Sequence, residues 1–213
     1  MSFHYLQTPA LILDRARMQQ NLDAMHIRMR NLGVDLRPHL KTAKSAEIAR
    51  LATFRQSGGV TVSTLAEAEY FHANGFSDIL YAVGILPAKL DRVDALAKKG
   101  ADIKLVSDSL DAVKIIAARS VKGSLPFKIL IEVDSGEGRA GILADDPTFL
   151  EIAHLIDDTP NMELMGVMTH AGHSYNCQSI DAIKGVAAQE RNCIAAAAVK
   201  LRDAGLPCPI VSA

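Results

Sequence analysis

The feature that most restricts the fold of this chain is a regular alternation of short apolar runs with longer amphipathic stretches. The apolar runs have the length of β-strands, and the amphipathic stretches have the length of helices. The sequence predicts strands at residues 9–13, 35–37, 59–62, 78–82, 103–106, 127–133, 164–168 and 210–212. It predicts helices at residues 14–32, 45–55, 65–74, 89–99, 109–119, 147–157 and 180–204, several of which end at a glycine.

A βα unit repeated this often indicates an α/β fold, a parallel sheet covered by helices. Periodicity alone does not separate a (β/α)8 TIM barrel from a doubly wound sheet. Reactive residues follow several successive strands, and no glycine-rich dinucleotide fingerprint follows the first, which favours the barrel. Apart from the N-terminal strand, seven barrel strands are predicted where eight are needed. We therefore expect residues 1–213 to be one barrel domain that is truncated before its last strand.

Charge and composition exclude several classes of partner. The formal net charge is −1, so no basic surplus is available to hold a nucleic-acid backbone or an anionic membrane. The three cysteines show no paired spacing, which argues against a disulfide framework. No signal peptide or membrane-spanning run is recognised in the sequence. These observations predict a protein of the cytoplasm.

A basic cluster follows the predicted strand at residues 35–37. It contains His39, Lys41 and Lys44, and Pro38 forces an extended backbone into it. A lysine at a barrel mouth, among cations and low-dielectric walls, is favoured in its neutral form and attacks aldehydes readily. The alternative is a surface turn with solvated charges, and composition leaves both interpretations open.

A glycine-rich segment, residues 133–141, follows the most apolar strand of the chain. Its glycines allow the backbone to pass close to a ligand, and Arg139 has the chemistry to hold an anionic oxygen. The alternative is an ordinary βα loop in which Arg139 pairs with Asp134 or Glu137. The sequence gives the two interpretations equal support.

Two histidines, His170 and His173, follow the predicted strand at residues 164–168. Their spacing suggests a metal pair, but a zinc site needs three or four ligands, and the position of Cys177 does not fit one. We therefore predict no metal site in this chain. His170 against a cofactor ring, with Tyr175 donating a hydrogen bond, is equally compatible with the sequence.

Three segments together resemble a known family. Residues 37–42, 133–141 and 169–175 have the order and rough spacing found in the D-threonine aldolase and D-serine dehydratase group of alanine-racemase-like (fold type III) pyridoxal-phosphate enzymes. Residues 8–14 are similar to the entry of that group into its barrel. The resemblance runs from about residue 8 to the end of the chain.

The resemblance implies a barrel followed in the intact enzyme by a β-rich C-terminal domain that is absent here. It implies that Lys41 is the Schiff-base lysine for pyridoxal 5'-phosphate and that Lys41 and His170 are catalytic. Arg139 would lie near the phenolic oxygen of the cofactor and His170 near its ring face. Tyr175 would lie by the pyridine nitrogen, and His39 is the remaining cofactor-binding residue.

The same resemblance implies a lyase acting on D-3-hydroxy amino acids. It would cleave them to glycine and an aldehyde, or deaminate them to a keto acid and ammonia. Three alternatives stay open: an amino-acid racemase on the same barrel, a non-catalytic pyridoxal-phosphate-binding protein, and a barrel without a cofactor. Relatives of this kind often form homodimers, and no nucleic-acid or membrane partner is implied.

This sequence departs from the group in three ways. Ala43 stands where the group has a histidine. The phosphate-binding run of the group follows a strand like residues 210–212, where this chain has ended. The ligands of the divalent metal of the group, manganese or zinc, lie in the C-terminal domain. We therefore expect this chain alone to bind the cofactor weakly and to turn over slowly or not at all.

Overall fold

The structure, a computed structural model, describes residues 3–121 and 125–213. Within these residues the strands are β1 (Val60–Val62), β2 (Asp78–Gly84), β3 (Asp102–Ser107), β4 (Phe127–Val133), β5 (Met162–Thr169) and β6 (Ile210–Ser212). The α-helices are α1 (Arg15–Leu32), α2 (Ala46–Thr53), α3 (Leu65–Ala73), α4 (Leu90–Lys98), α5 (Leu110–Ser120), α6 (Pro147–Asp158) and α7 (Ile180–Asp203). Short 3-10 helices cover Pro87–Lys89 and Gly172–Asn176.

The six described strands form one parallel sheet in the order β1-β2-β3-β4-β5-β6. Every neighbouring pair is parallel, with Val60 opposite Ile79 at one edge and Met168 opposite Ser212 at the other. Sequential parallel order with helical crossovers is the topology of a barrel, and the sheet curls into half of one. The α/β barrel architecture predicted from the sequence is confirmed.

The two faces of the sheet carry different residues because side chains alternate along each strand. In β4, Ile129 and Ile131 point outward and are fully buried against the helices. On the inner face, Leu130 joins a small apolar cluster with Leu80 and Val106 of the neighbouring strands. Burial on both faces explains why these strands are nearly continuous apolar runs.

The floor of the curled sheet, at the amino ends of the strands, is a cluster of alternating charges. Lys104 Nζ lies 2.7 Å from a carboxylate oxygen of Asp78 and 2.7 Å from one of Asp102. Arg37 forms two hydrogen bonds to Asp78, and Lys128 contacts Asp102 at 2.8 Å. These paired charges close the bottom of the interior, so open space remains at the carboxyl ends of the strands.

The predicted helices are confirmed to within two residues at each end, because their terminal signals act locally. At the start of α3, Thr64 accepts from Glu67 N, and the Glu67 side chain returns to the Thr64 backbone in a capping box. At the end of α1, Gly33 adopts φ +66, a left-handed conformation that glycine reaches without strain. No helix in residues 3–121 or 125–213 is both long and apolar enough to cross a bilayer.

Two predicted strands are wrong. Residues 9–13 form no strand, and Leu11, Ile12 and Leu13 are exposed, because no described strand runs beside them to receive their backbone hydrogen bonds. Residues 35–37 also form no strand, since a side chain, Gln56 Oε1, accepts from Leu36 N. The chain reaches the sheet only afterwards, through a single bridge between residues 39 and 61.

Candidate active site

A cavity of about 290 Å³ lies at the carboxyl ends of the strands, the edge where barrel enzymes bind their substrates. All five predicted site residues line it. These are His39, Lys41, Arg139, His170 and Tyr175. Residues that the sequence interpretation did not select also line it, among them Thr61, Ser63, Glu132, Thr169 and Ser212. The structure thus brings together predicted site residues that lie up to 136 positions apart in the sequence, from 39 to 175.

The basic cluster enters the cavity through the bridge that attaches it to β1. Thr61 N donates to Pro38 O at 2.9 Å and Leu40 N donates to Thr61 O at 2.9 Å, which fixes the backbone on both sides of His39. Lys41 is exposed at the cavity edge. Lys44 instead turns away at φ +45 and pairs with Glu67 at 3.1 Å. The two nearby lysines therefore have different surroundings.

The hydrogen bonds of His39 define its tautomer. Lys41 N donates to His39 Nδ1 at 3.3 Å, so Nδ1 carries no proton. The proton of the neutral ring then lies on Nε2, which is 3.3 Å from Ser63 Oγ. Desolvation lowers the pKa of His39, and the positive charge of Lys41 lowers it further. A neutral imidazole therefore stands beside the lysine amine.

The glycine loop, defined as residues 134–141, is held by its own first side chain. Asp134 Oδ1 accepts from Gly136 N at 2.8 Å and from Gly138 N at 3.1 Å. Gly141 adopts φ +95, and a Cβ there would lie 2.5 Å from Asp134 N, so the loop requires glycine at this position. The side chain of Arg139 is 66% exposed, and its Nη1 lies 4.0 Å from Glu137 Oε1, a loose contact.

The histidine loop, defined as residues 170–176, continues β5 and contains the 3-10 helix Gly172–Asn176. The rings of His170 and Tyr175 lie with centroids 6.0 Å apart at an interplanar angle of 58°. His170 is partly buried, whereas Tyr175 is 76% exposed at the rim. The described residues contain no group of three or more histidines, cysteines or acidic residues arranged to hold a metal ion.

Glu132 is a cavity residue that the sequence interpretation missed. It lies on the inner face of β4 and is 8% exposed, and its carboxylate makes no hydrogen bond or ion pair among the described residues. Burial raises its pKa, the nearby carboxylate of Asp108 raises it further, and Arg139 opposes the change. A charged residue between Ile131 and Val133, in an otherwise apolar strand, was the available signal, because an unpaired acid is rare in a buried strand.

Thr169 and Ser135 form a second missed feature, a buried hydroxyl pair under the two loops. Thr169 Oγ1 donates to Val133 O at 2.7 Å and lies 2.9 Å from Ser135 Oγ. Both residues are only 3% exposed. Because Thr169 directly precedes His170 and Ser135 lies in the glycine loop, the pair fixes the two loops against each other.

Comparison with known proteins agrees with this architecture. Residues 13–213 match the family model described as alanine racemase, N-terminal domain. This chain belongs to that family. The finding confirms the resemblance and the fold predicted from the three motifs.

The relatives of this alanine racemase N-terminal domain include several lyases. D-threo-3-hydroxyaspartate dehydratase of Delftia sp. (strain HT23) is 45% identical over 208 residues, which are 97% of this chain and 54% of that protein. Its solved structure matches with a TM-score of 0.93 at 44% identity, over 97% of this chain and 55% of that chain. D-serine dehydratase of Dictyostelium discoideum is 30% identical over 222 residues, which are 97% of this chain and 55% of that protein.

A further solved structure, D-threonine aldolase from Filomicrobium marinum, matches with a TM-score of 0.88 at 26% identity. The match covers 97% of this chain and 55% of that one. The present chain therefore spans about half the length of the relatives that it matches. The shared half is the parallel sheet and helices that carry the cavity.

Proposed function

We propose that this chain is the cofactor-binding barrel portion of a pyridoxal-phosphate-dependent lyase that acts on D-3-hydroxy amino acids. The observation that carries the proposal is the convergence of three separate segments on one cavity. Lys41 comes from the basic cluster, Arg139 from the glycine loop and His170 from the histidine loop. The relatives named as dehydratases and an aldolase support the reaction class.

The donor set at the cavity fits pyridoxal phosphate. An aldehyde requires an accessible amine, and Lys41 is exposed at the cavity edge. An anionic cofactor requires cationic groups, and Arg139 supplies a guanidinium without a close ion pair. The volume of about 290 Å³ is at the lower end for small-molecule sites. When bound, the cofactor supplies an electron sink for negative charge at Cα of an amino acid.

Each site residue then has a defined task. Lys41 would hold the aldehyde cofactor through its amine, and the same amine would be placed to take the proton from Cα of a bound amino acid. His39 is neutral beside it and so does not repel the protonated amine. Arg139 would hold the phenolic oxygen of the cofactor, His170 would face its ring, and Tyr175 would lie near its pyridine nitrogen.

Dehydration is the better supported of the two lyase reactions. The relative with 45% identity is named as a dehydratase of a 3-hydroxyaspartate, whereas the aldolase structure shares 26% identity. In dehydration Cα loses its proton and Cβ loses its hydroxyl, so one water leaves. Addition of one water to the resulting imine then releases a keto acid and ammonia. Aldol cleavage breaks Cα–Cβ instead and gives glycine and an aldehyde.

The test is a product assay on the protein with excess pyridoxal phosphate, with and without manganese or zinc. The substrates are D-3-hydroxyaspartate, D-serine and D-threonine, scored for keto acid plus ammonia and for glycine plus aldehyde. We expect slow formation of keto acid and ammonia, abolished in Lys41→Ala and retained in Lys44→Ala. Glycine and aldehyde as the main products would contradict dehydration. Equal product from Lys41→Ala and the unaltered protein would contradict the whole proposal.

A further inference from the structure

Glu137 lies in the glycine loop two residues before Arg139, and its carboxylate reaches both site loops. One oxygen, Oε2, accepts a hydrogen bond from Gly172 N at 3.1 Å. The other, Oε1, lies 4.0 Å from Arg139 Nη1. The Glu137 side chain is 21% exposed, so its carboxylate is held rather than freely solvated. A single residue of one loop therefore contacts the backbone of the other and faces the guanidinium at the cavity.

The absence of a side chain at Gly172 leaves room for the Glu137 carboxylate. A Cβ at Gly172 would lie 2.5 Å from Glu137 Oε1 and 2.9 Å from Glu137 Cδ. Any side chain at position 172 would therefore displace the carboxylate from both of its contacts. The missing side chain of Gly172 therefore allows the carboxylate to reach its backbone N–H.

Other contacts hold the loops without reaching the guanidinium. From α7, Gln189 Nε2 donates to Ser135 O at 2.8 Å, and Glu190 Oε1 accepts from Ala171 N at 2.8 Å. These neighbouring helix residues thus hold one loop each. Among the described residues, Glu137 is the group that connects this frame to Arg139.

We propose that Glu137 is a positioning residue, which directs the Arg139 guanidinium towards the cavity and sets its distance from the histidine loop. The inference rests on the proposed function, because the direction of Arg139 matters only if the cavity holds an anionic group. The effect of the negative charge of Glu137 and the effect of its hydrogen bond can be separated by substitution. A glutamine at position 137 still accepts from Gly172 N but no longer attracts the guanidinium, whereas an alanine does neither.

The first test needs no cofactor. Hydrogen exchange is measured on the cofactor-free chain for peptides that contain Gly172. We expect exchange in Glu137→Ala to be faster by about tenfold or more, the scale of one hydrogen bond to a charged acceptor. Exchange in Glu137→Gln should stay close to that of the unaltered chain. Unchanged exchange in Glu137→Ala would overturn the link between the loops.

The second test measures binding of pyridoxal phosphate by visible absorbance. We expect Glu137→Gln to weaken binding by about 2- to 5-fold, the scale of an ion pair with an exposed partner. In an Arg139→Ala background the same change should have no further effect, because Glu137 acts through Arg139. The control is Glu151→Gln, which removes an exposed carboxylate from α6 and should bind as the unaltered chain does.

Equal weakening by Glu137→Gln in both backgrounds would overturn the positioning role, since the effect would then bypass Arg139. Binding unaffected by Glu137→Gln would overturn it as well. If the unaltered chain takes up no cofactor on Lys41, the proposed function fails, and the role of Glu137 towards Arg139 fails with it. The contact of Glu137 with Gly172 is still decided by hydrogen exchange in that case.

Discussion

Replacement of Lys104 by methionine tests how the barrel floor is held together. Lys104 lies on the inner face of β3, and its side chain is only 6% exposed. Its amine makes 2.7 Å contacts with both Asp78 and Asp102. Methionine keeps most of the apolar stem but removes the charge, so two carboxylates are left facing each other without the cation between them.

The expected loss of stability follows from the exposure of the partners. Removal of one member of a fully buried ion pair costs about 3–5 kcal/mol. Here the side chains of Asp78 and Asp102 are 28% and 41% exposed, so water recovers part of that cost. We expect a loss of about 2–3 kcal/mol in the free energy of unfolding, with the remaining Arg37 and Lys128 limiting the repulsion. With a urea slope of about 2–3 kcal/mol/M, the unfolding midpoint falls by about 1 M.

The pH dependence of the stability difference between the unaltered protein and Lys104→Met checks the same ion pairs. Burial alone would raise the pKa of Asp78 and of Asp102, but hydrogen bonds from Lys104 and its neighbours hold both pKa values below the usual range. A lowered folded-state pKa gives stability that is present above the unfolded-state pKa, about 3.9, and is lost as the pH falls through the folded-state value. The difference between the unaltered protein and Lys104→Met should therefore narrow below about pH 4.

Urea unfolding at pH 7 is the assay, and Lys114→Met on α5 is the matched control. Lys114 lies 3.5 Å from Asp111, but their side chains are 59% and 90% exposed, so the control should lose less than about 0.5 kcal/mol. Equal midpoints for the two variants would refute the reasoning. A more stable Lys104→Met would refute it more strongly.

Three further predictions concern single residues. Thr169→Val removes the hydroxyl that donates to Val133 O at 2.7 Å and should lower the free energy of unfolding, measured with urea, by about 1–3 kcal/mol. An unchanged unfolding midpoint would contradict this. Gly166→Ala places a Cβ against Ile210 O at a residue with φ +116, and it should cost at least about 3 kcal/mol or abolish folding. Full stability in circular-dichroism melts would oppose this. His39 should titrate below about pH 6.5 by NMR, so its contribution to stability is full above that pH and is lost as the pH falls. Titration at or above 6.5 contradicts the lowered pKa.

The helices could be predicted from the sequence because their signals are local. Asp14, Thr64 and Gly33 act within one turn of the helix ends that they define. Strands require a partner, and this requirement explains the two wrong predictions. Leu11 and its neighbours have the apolar pattern of a strand, but no described strand lies beside them. The backbone N–H of Leu36 donates to the side chain of Gln56 instead of to a neighbouring strand.

Site residues that belong to sequence motifs could be predicted, whereas contacts between residues distant in the sequence could not. Lys41 and Arg139 stand in recognisable segments, and both line the cavity. The pairing of Glu137 with Gly172 joins residues 35 positions apart, and no local pattern indicates it. Glu132 had a signal, a charge within an apolar strand, but its inward direction depends on the register of β4 in the curled sheet.

We propose that the amine of Lys41 binds an aldehyde cofactor at the cavity, and every assignment at the site depends on this bond. The most direct measurement is reduction with borohydride in excess pyridoxal phosphate, followed by peptide mapping. We expect the pyridoxyl group on Lys41 and not on Lys44, whose amine pairs with Glu67 at 3.1 Å. A label that favours Lys44, or one spread evenly over surface lysines, would contradict the account.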